Sequence, residues 1–307
     1  MPLPDRISSA VTNHRLVNQT VEGATIVFED RINRVAAYSI LFVLLLGVFG
    51  PVLAPHDYSA INSAPDGSLL RLAPPLTGEY FLGTTERGED VLSRIMVGAR
   101  PTVITGILGG LFIISIGMTI GVTAGYIGGW YETLLMRFTD FVYGVPLIPF
   151  AIVLIVFMGV NYWTTILVIG VILWRGNARV LRAQVLQIKQ RPYILAAKAT
   201  GASTRRIVLR HILPNITSMI VLFFALGVGS AILVEANLAF IGVSDPFVPS
   251  WGIMVRNAYE ANRIAEAWWW SIPPGLLISL TVLSTFLLGR SMEQLGGQSD
   301  EYTGGEV

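Results

Sequence analysis

Apolar residues gather along this chain in long blocks rather than alternating at the period of a soluble helix or strand. The first block, residues 35–54, is about the twenty residues that a helix needs to cross a hydrocarbon core of roughly 30 Å. A second covers 102–126, where Gly106, Gly110, Gly117, Gly121 and Gly125 share one helical face and let a neighbouring helix approach closely. A third helix is expected from Glu132 to Gly159, kinked at Pro146 and Pro149, with Arg137 and Asp140 as an i,i+3 pair. The fourth block, from Tyr162 to Trp174, is short for a crossing but continues into a basic segment. There Arg175, Arg179 and Arg182 align on one face, suited to snorkelling, while Val180, Leu181 and Val185 supply apolar surface. A fifth block follows Pro214 to about Ile241, and a sixth runs from about Ser271 to Leu288. The pattern predicts an all-α polytopic membrane protein with six transmembrane helices.

Charge distribution orients this array. Arg6, Arg15, Arg31 and Arg34 precede the first block, so residues 1–34 are expected to be a cytoplasmic extension and residues 55–101 an extracytoplasmic segment. From Phe141 to Val234 there is no acidic residue, yet nine basic ones lie between Arg175 and Arg210, which places that loop inside as well. Residues 102–290 form the core and 291–307 a loose, glycine-rich, acidic tail, so both termini are expected in the cytoplasm. The aromatic run Trp268–Trp269–Trp270 suits the headgroup level.

Composition narrows the chemistry. Hydrophobic residues make up 53% and charged residues 13%, with mean hydropathy +0.62, against about 25% charged in a soluble domain. No cysteine is present, which excludes disulfides and cysteine-based metal sites, and His14, His56 and His211 stand too far apart to suggest an imidazole cluster. The two lysines, Lys189 and Lys198, do not fall in a G-x-x-x-x-G-K-[ST] loop, so any nucleotide site is expected on other subunits. No cofactor and no nucleic-acid partner are expected, and no cleavable signal is evident.

One polar stretch between apolar blocks carries the strongest local signals. In residues 192–214, Pro192 opens a helix without losing a hydrogen bond, and Gly201 closes it in left-handed geometry. Ser203 offers an N-cap for a second helix, which Pro214 is expected to end. On that helix Arg206 and Arg210 share one face, with Val208 and Ile212 on the other. Further on, Glu235 is an ionisable residue in an apolar span and therefore a functional candidate.

Ala196, Ala197, Gly201 and the run His211–Ile212–Leu213–Pro214 resemble the cytoplasmic EAA loop of binding-protein-dependent ABC importers, with Gly201 and His211 ten positions apart. Leu195 stands where that pattern has glutamate. The stretch Gly83 to Arg94 resembles the GTDxxGRDxxSR signature of peptide-transporter permeases at Gly83, Thr84, Gly88, Asp90, Ser93 and Arg94, with Thr85 and Glu89 departing from it. Gly125–Tyr126–Ile127–Gly128–Gly129–Trp130, the segment around Glu235 and Asn237, and Pro249–Ser250–Trp251–Gly252 are similar to the same permeases.

The resemblance, over roughly residues 80–295, is to the C-type permease subunit of dipeptide, oligopeptide and nickel ABC importers, and implies a type I importer fold. It implies one half of a solute path beside a second permease subunit, two ATPase subunits beneath, and an external solute-binding protein. Coupling to the ATPase would fall to Tyr193, Ala196, Ala197, Lys198, Gly201, Ala202, Arg206, Arg210, His211, Leu213 and Pro214. Glu235 and Asn237 are candidates for the solute path, and Asp90, Arg94 and Trp251 for a partner contact at the outer face. The alternative is a secondary transporter or channel with its own ion coupling, for which Glu235 and Asp140 are the available carboxylates.

Overall fold

The computed structural model describes residues 30–64 and 67–302, with side chains as far as Ser291. The extension expected over 1–34 lies outside the described residues except for its last five positions, and so does the very end of the tail. Helix α1, Arg31–Leu53, starts at Asp30, whose carboxylate accepts from the Ile32 N–H at 3.0 Å. An irregular segment leads to α2, Val91–Ile127, whose N-cap Asp90 accepts from the backbone of Leu92 and Ser93. The second span was expected from residue 102. The capped start at Asp90 sets the boundary instead, and Pro101, missing only one intrahelical donor, is carried inside the helix.

The glycine face of α2 serves two neighbours. A Cβ on Gly109 would come within 2.6 Å of Ala231, and one on Gly110 within 2.9 Å of Val228, both on the later span α10, Thr217–Ile241. Toward the other end, a Cβ on Gly121 would meet the Ala178 carbonyl at 2.5 Å, and one on Gly125 the Arg182 carbonyl at 2.9 Å. One stripe thus seats two helices, because the missing side chains let backbones touch.

Gly128, at φ +77°, turns the chain into α3, Gly129–Gly144, which is followed by α4, Leu147–Met158. The expected single kinked helix is a broken pair, bent by 94°. Val145 is extended, as a residue preceding proline prefers, and Pro146 is extended too, so two successive residues leave helical geometry. The short fourth block is completed by its basic continuation: α5, Tyr162–Leu173, and α6, Arg175–Ile188, form one span of 27 residues. After a helical elbow come α10, then α11, Trp251–Glu260, and finally α12, Trp268–Tyr302. The tail expected to be loose after Arg290 stays helical to Tyr302.

Among the described residues five helices are long and apolar enough to cross a membrane, and the bent pair makes six if it counts as one crossing. Among the described residues only isolated bridges, between residues 63 and 90, interrupt this all-helical architecture. Three apolar clusters divide the interior. Val43, Ile95, Trp251, Met254 and Trp269 pack at the end that carries the 54–90 segment. Ile113, Ile155, Ile169 and Leu238 fill the middle. Ile114, Val122, Leu181, Val185, Ile194, Ile207 and Ile212 close the opposite, basic end.

Candidate functional site

At the basic end the chain leaves the bundle and returns through α7, Pro192–Ala199, and α8, Thr204–Ile207. The turn between them is built by capping chemistry. The Gly201 N–H donates to the Lys198 carbonyl and the Ala202 N–H to the Ala197 carbonyl, both at 3.0 Å, a paired closure that requires left-handed backbone at Gly201, here φ +80°. Ser203 Oγ then accepts from the Arg206 N–H and starts α8. Pro214 does not end the helix as expected. A π-helical turn, Val208–Ile212, widens the backbone, with the Leu213 N–H donating to the Val208 carbonyl, and the helix passes through α9, Leu213–Asn215, before breaking at Ile216.

Ile194, Ile207, Ile212 and Ile216 are fully buried and pin the elbow to α2 and α6. Its outer surface carries Ala196, Gly201, Arg205, Arg206, Arg210 and Pro214, together with the exposed apolar side chains of Tyr193, Leu195 and Leu209. Ala197, Ala202, His211 and Leu213 are half-buried, and the Tyr193 and His211 rings lie 6.5 Å apart. Lys198 sits over the Tyr126 ring at 5.3 Å, beside Lys189, which donates to the Tyr126 carbonyl at 2.6 Å. Leu195 and Leu209 stay exposed because so short a helix buries one face only, and Ile194 and Ile207 occupy it.

The three aligned arginines of α6 tie α6 to α3. Arg175 donates to the Val142 carbonyl at 2.9 Å, Arg179 pairs with Asp140 at 2.6 Å, and Arg182 pairs with Glu132. The Tyr143 ring lies beneath both Arg175, at 4.8 Å, and Arg179, at 4.4 Å. Asp140 therefore meets Arg179 across helices rather than Arg137 on its own. Its carboxylate is 63% exposed on this chain, held by that one arginine.

At the opposite end the three residues singled out for a partner contact are used inside the chain. Asp90 is buried, accepting from the Ser93 hydroxyl at 2.5 Å and lying 3.3 Å from His56 Nδ1. Arg94 is buried against Glu89 at 2.5 Å, and Glu89 in turn accepts from the Thr85 hydroxyl at 2.9 Å. The two departures from the peptide-permease signature, Thr85 and Glu89, are thus one local network. Trp251 is fully buried and donates from its indole to the Ile95 carbonyl at 2.9 Å. Nearby, hydrogen bonds from the Ser59 N–H and hydroxyl hold the Asp57 carboxyl below its ordinary range. Burial, with Glu79 and Asp90 adding negative charge, pushes the Tyr80 phenol up.

Residues 117–295, which include the elbow, match the family described as binding-protein-dependent transport system inner membrane component. The chain belongs to this family. The permease is 34% identical over 267 residues to a dipeptide transport system permease protein DppC of Bacillus subtilis, covering 86% of this chain and 81% of the relative. It is 34% identical to a glutathione transport system permease protein GsiD of Pectobacterium atrosepticum, covering 84% and 85%. It is 33% identical to a probable D,D-dipeptide transport system permease protein DdpC of Escherichia coli, covering 85% of each chain. Its fold is similar to a chain of the MetNI methionine ABC transporter solved in inward facing conformations, with TM-score 0.54 and 18% identity over 66% of this chain and 96% of that one. The permease is accordingly a multi-pass inner-membrane transport subunit of the ABC importer type.

Inside the permease, Glu235 is buried on α10 and accepts from the Ser250 hydroxyl at 2.9 Å, joining α10 to the start of α11. Asn237, two positions on, faces the other way and is exposed. No group of three metal-ligating side chains occurs among the described residues. The arrangement suits docking and motion more than bond chemistry: a rigid basic elbow at one end, a buried polar network at the other, and helices joined through glycine contacts.

Proposed function

We propose that this permease forms one half of the path of an ATP-driven importer of short peptides, and that the elbow docks into a separate ATPase subunit. The observation that carries the docking role is the elbow itself, anchored by buried isoleucines while presenting Leu195, Leu209, Arg205, Arg206 and Arg210 outward. An exposed apolar centre with a basic rim matches a cleft that is apolar within and acidic around its edge. Space around Gly201 is open, with nothing within 4 Å of an added Cβ, so a partner can approach the turn itself.

The remaining roles follow from that assignment. The basic end faces the cytoplasm with both termini, in line with the nine cations from Arg175 to Arg210. The 54–90 segment then faces outward, toward a solute-binding protein. A second, non-identical permease covers apolar surface left exposed on α3 and α4, such as Phe138, Phe141, Val153 and Phe157. Asn237 rather than the buried Glu235 is the member of that pair that a solute can touch. Short peptides are the proposed cargo because relatives over most of the chain are dipeptide and glutathione transport permeases.

ATP binding by the partner would bias the permease between two states by docking one of them better than the other. The test is Gly201→Asp, which places a strained, acidic residue at the turn. Membrane insertion should be unchanged, while peptide uptake falls and ATP hydrolysis no longer responds to solute. Uptake and hydrolysis both at wild-type levels would refute the docking role.

A further inference from the structure

Between the end of α1, the first turns of α2 and the 247–249 segment lies a hollow of about 280 Å³, walled by Pro51, Tyr58, Val97, Arg100, Ile104 and Tyr162 together with that segment. Its depth is set by helix contacts. Gly47 faces Val103 and Ala99, and Gly50 faces Met96, so Arg100 is level with the last two turns of α1. From one to two turns inside the end of α1, an arginine side chain reaches the headgroup level by snorkelling, and tyrosines gather at that level too.

Charge and shape then limit the occupant. Arg94, Arg256 and Arg263 at this end are matched by Glu89, Glu260 and Glu266. Arg100 is exposed and has no carboxylate partner among the described residues. Beneath it on the same face of α2, Ile104 is half-buried while Ile107 and Leu111 are 40% and 52% exposed, an apolar track leading from the hollow toward the middle of the membrane. No acidic side chain lines the hollow, so a ligand's ammonium group would find no carboxylate to offset the charge of Arg100. One wall is α1, the least buried of the five spans, which puts the hollow at the rim of the described bundle.

We propose that this hollow holds one anionic phospholipid, with its phosphate paired to Arg100 and an acyl chain along Ile104, Ile107 and Leu111. A guanidinium offers a phosphate two parallel hydrogen bonds, and the apolar track takes the chain below it. With one cation and no carboxylate in its lining, the hollow favours a net anionic headgroup over a zwitterionic one.

The full chain, purified with the subunits that accompany it, would be placed in nanodiscs of equal parts phosphatidylglycerol and phosphatidylcholine. Native mass spectrometry then counts the lipid retained. The wild type should keep one phosphatidylglycerol in preference, and Arg100→Gln about tenfold less, the scale of one lost charge-assisted contact. Arg100→Lys should retain the lipid, as should Arg87→Gln, which removes an exposed cation outside the hollow. Val97→Trp, which fills the hollow and keeps the charge, should expel it. Equal retention by wild type and Arg100→Gln, or no preference in the wild type, overturns the proposal. So does displacement of the lipid by a dipeptide with a free carboxylate but not by its amide, which would make the hollow a solute site.

Discussion

At φ +80° Gly201 occupies backbone space where a side chain costs roughly 1–2 kcal/mol, although no neighbour obstructs it. Gly201→Ala should therefore weaken the elbow by about 1 kcal/mol through strain alone, without a clash. Faster hydrogen exchange confined to residues 192–216 would register that loss. Glu235 poses the opposite problem, a buried acceptor serving one hydroxyl while its Oε2 has no partner. Glu235→Ala should cost about 1–3 kcal/mol by stranding the Ser250 hydroxyl, and Glu235→Gln, which keeps an acceptor, much less. Thermal denaturation of the purified permease separates the two. Chain order hinted at both residues, one by its turn chemistry and one by a charge in an apolar run. It did not show that Ser250, fifteen positions away, is what Glu235 serves.

At the scale of elements, the arginine ladder between α6 and α3 is graded by exposure. The Arg182 and Glu132 side chains are 32% and 19% exposed, whereas those of Arg179 and Asp140 are 48% and 63% exposed. Double-mutant cycles on thermal stability should give a coupling of about 1 kcal/mol for the first pair and close to zero for the second. The glycine contacts are less forgiving. Gly121→Leu should lower stability by at least 1–3 kcal/mol, because even its Cβ would press on the Ala178 carbonyl at 2.5 Å. Loss of folded protein on size-exclusion chromatography is the expected readout. The stripe of glycines on α2 was legible as a packing face, since helical period is local. Its division between α10 and α6 and the ladder itself were not, because each depends on which helix lies opposite; the kink at Pro146 was legible, though not its size of 94°.

For the whole molecule, the proposed orientation admits a direct check, since the chain has no cysteine to give background. In intact spheroplasts a membrane-impermeant maleimide should label Arg87→Cys and leave Ala199→Cys unmodified until the membrane is opened; the reverse pattern would invert the assignment. The helical class and the elbow with its glycine corner could be read from residue order, whereas the six crossings expected there are five long helices and one bent pair among the described residues. Span length, capping and left-handed turns are local properties, satisfied within a few positions of the residues that cause them. The three-dimensional arrangement alone decided that Asp90, Arg94 and Trp251 serve the interior, and that Leu195 and Leu209 remain on the surface. Burial belongs to whatever the fold brings alongside, and the Trp251 indole finds its acceptor on Ile95, 156 residues earlier in the chain.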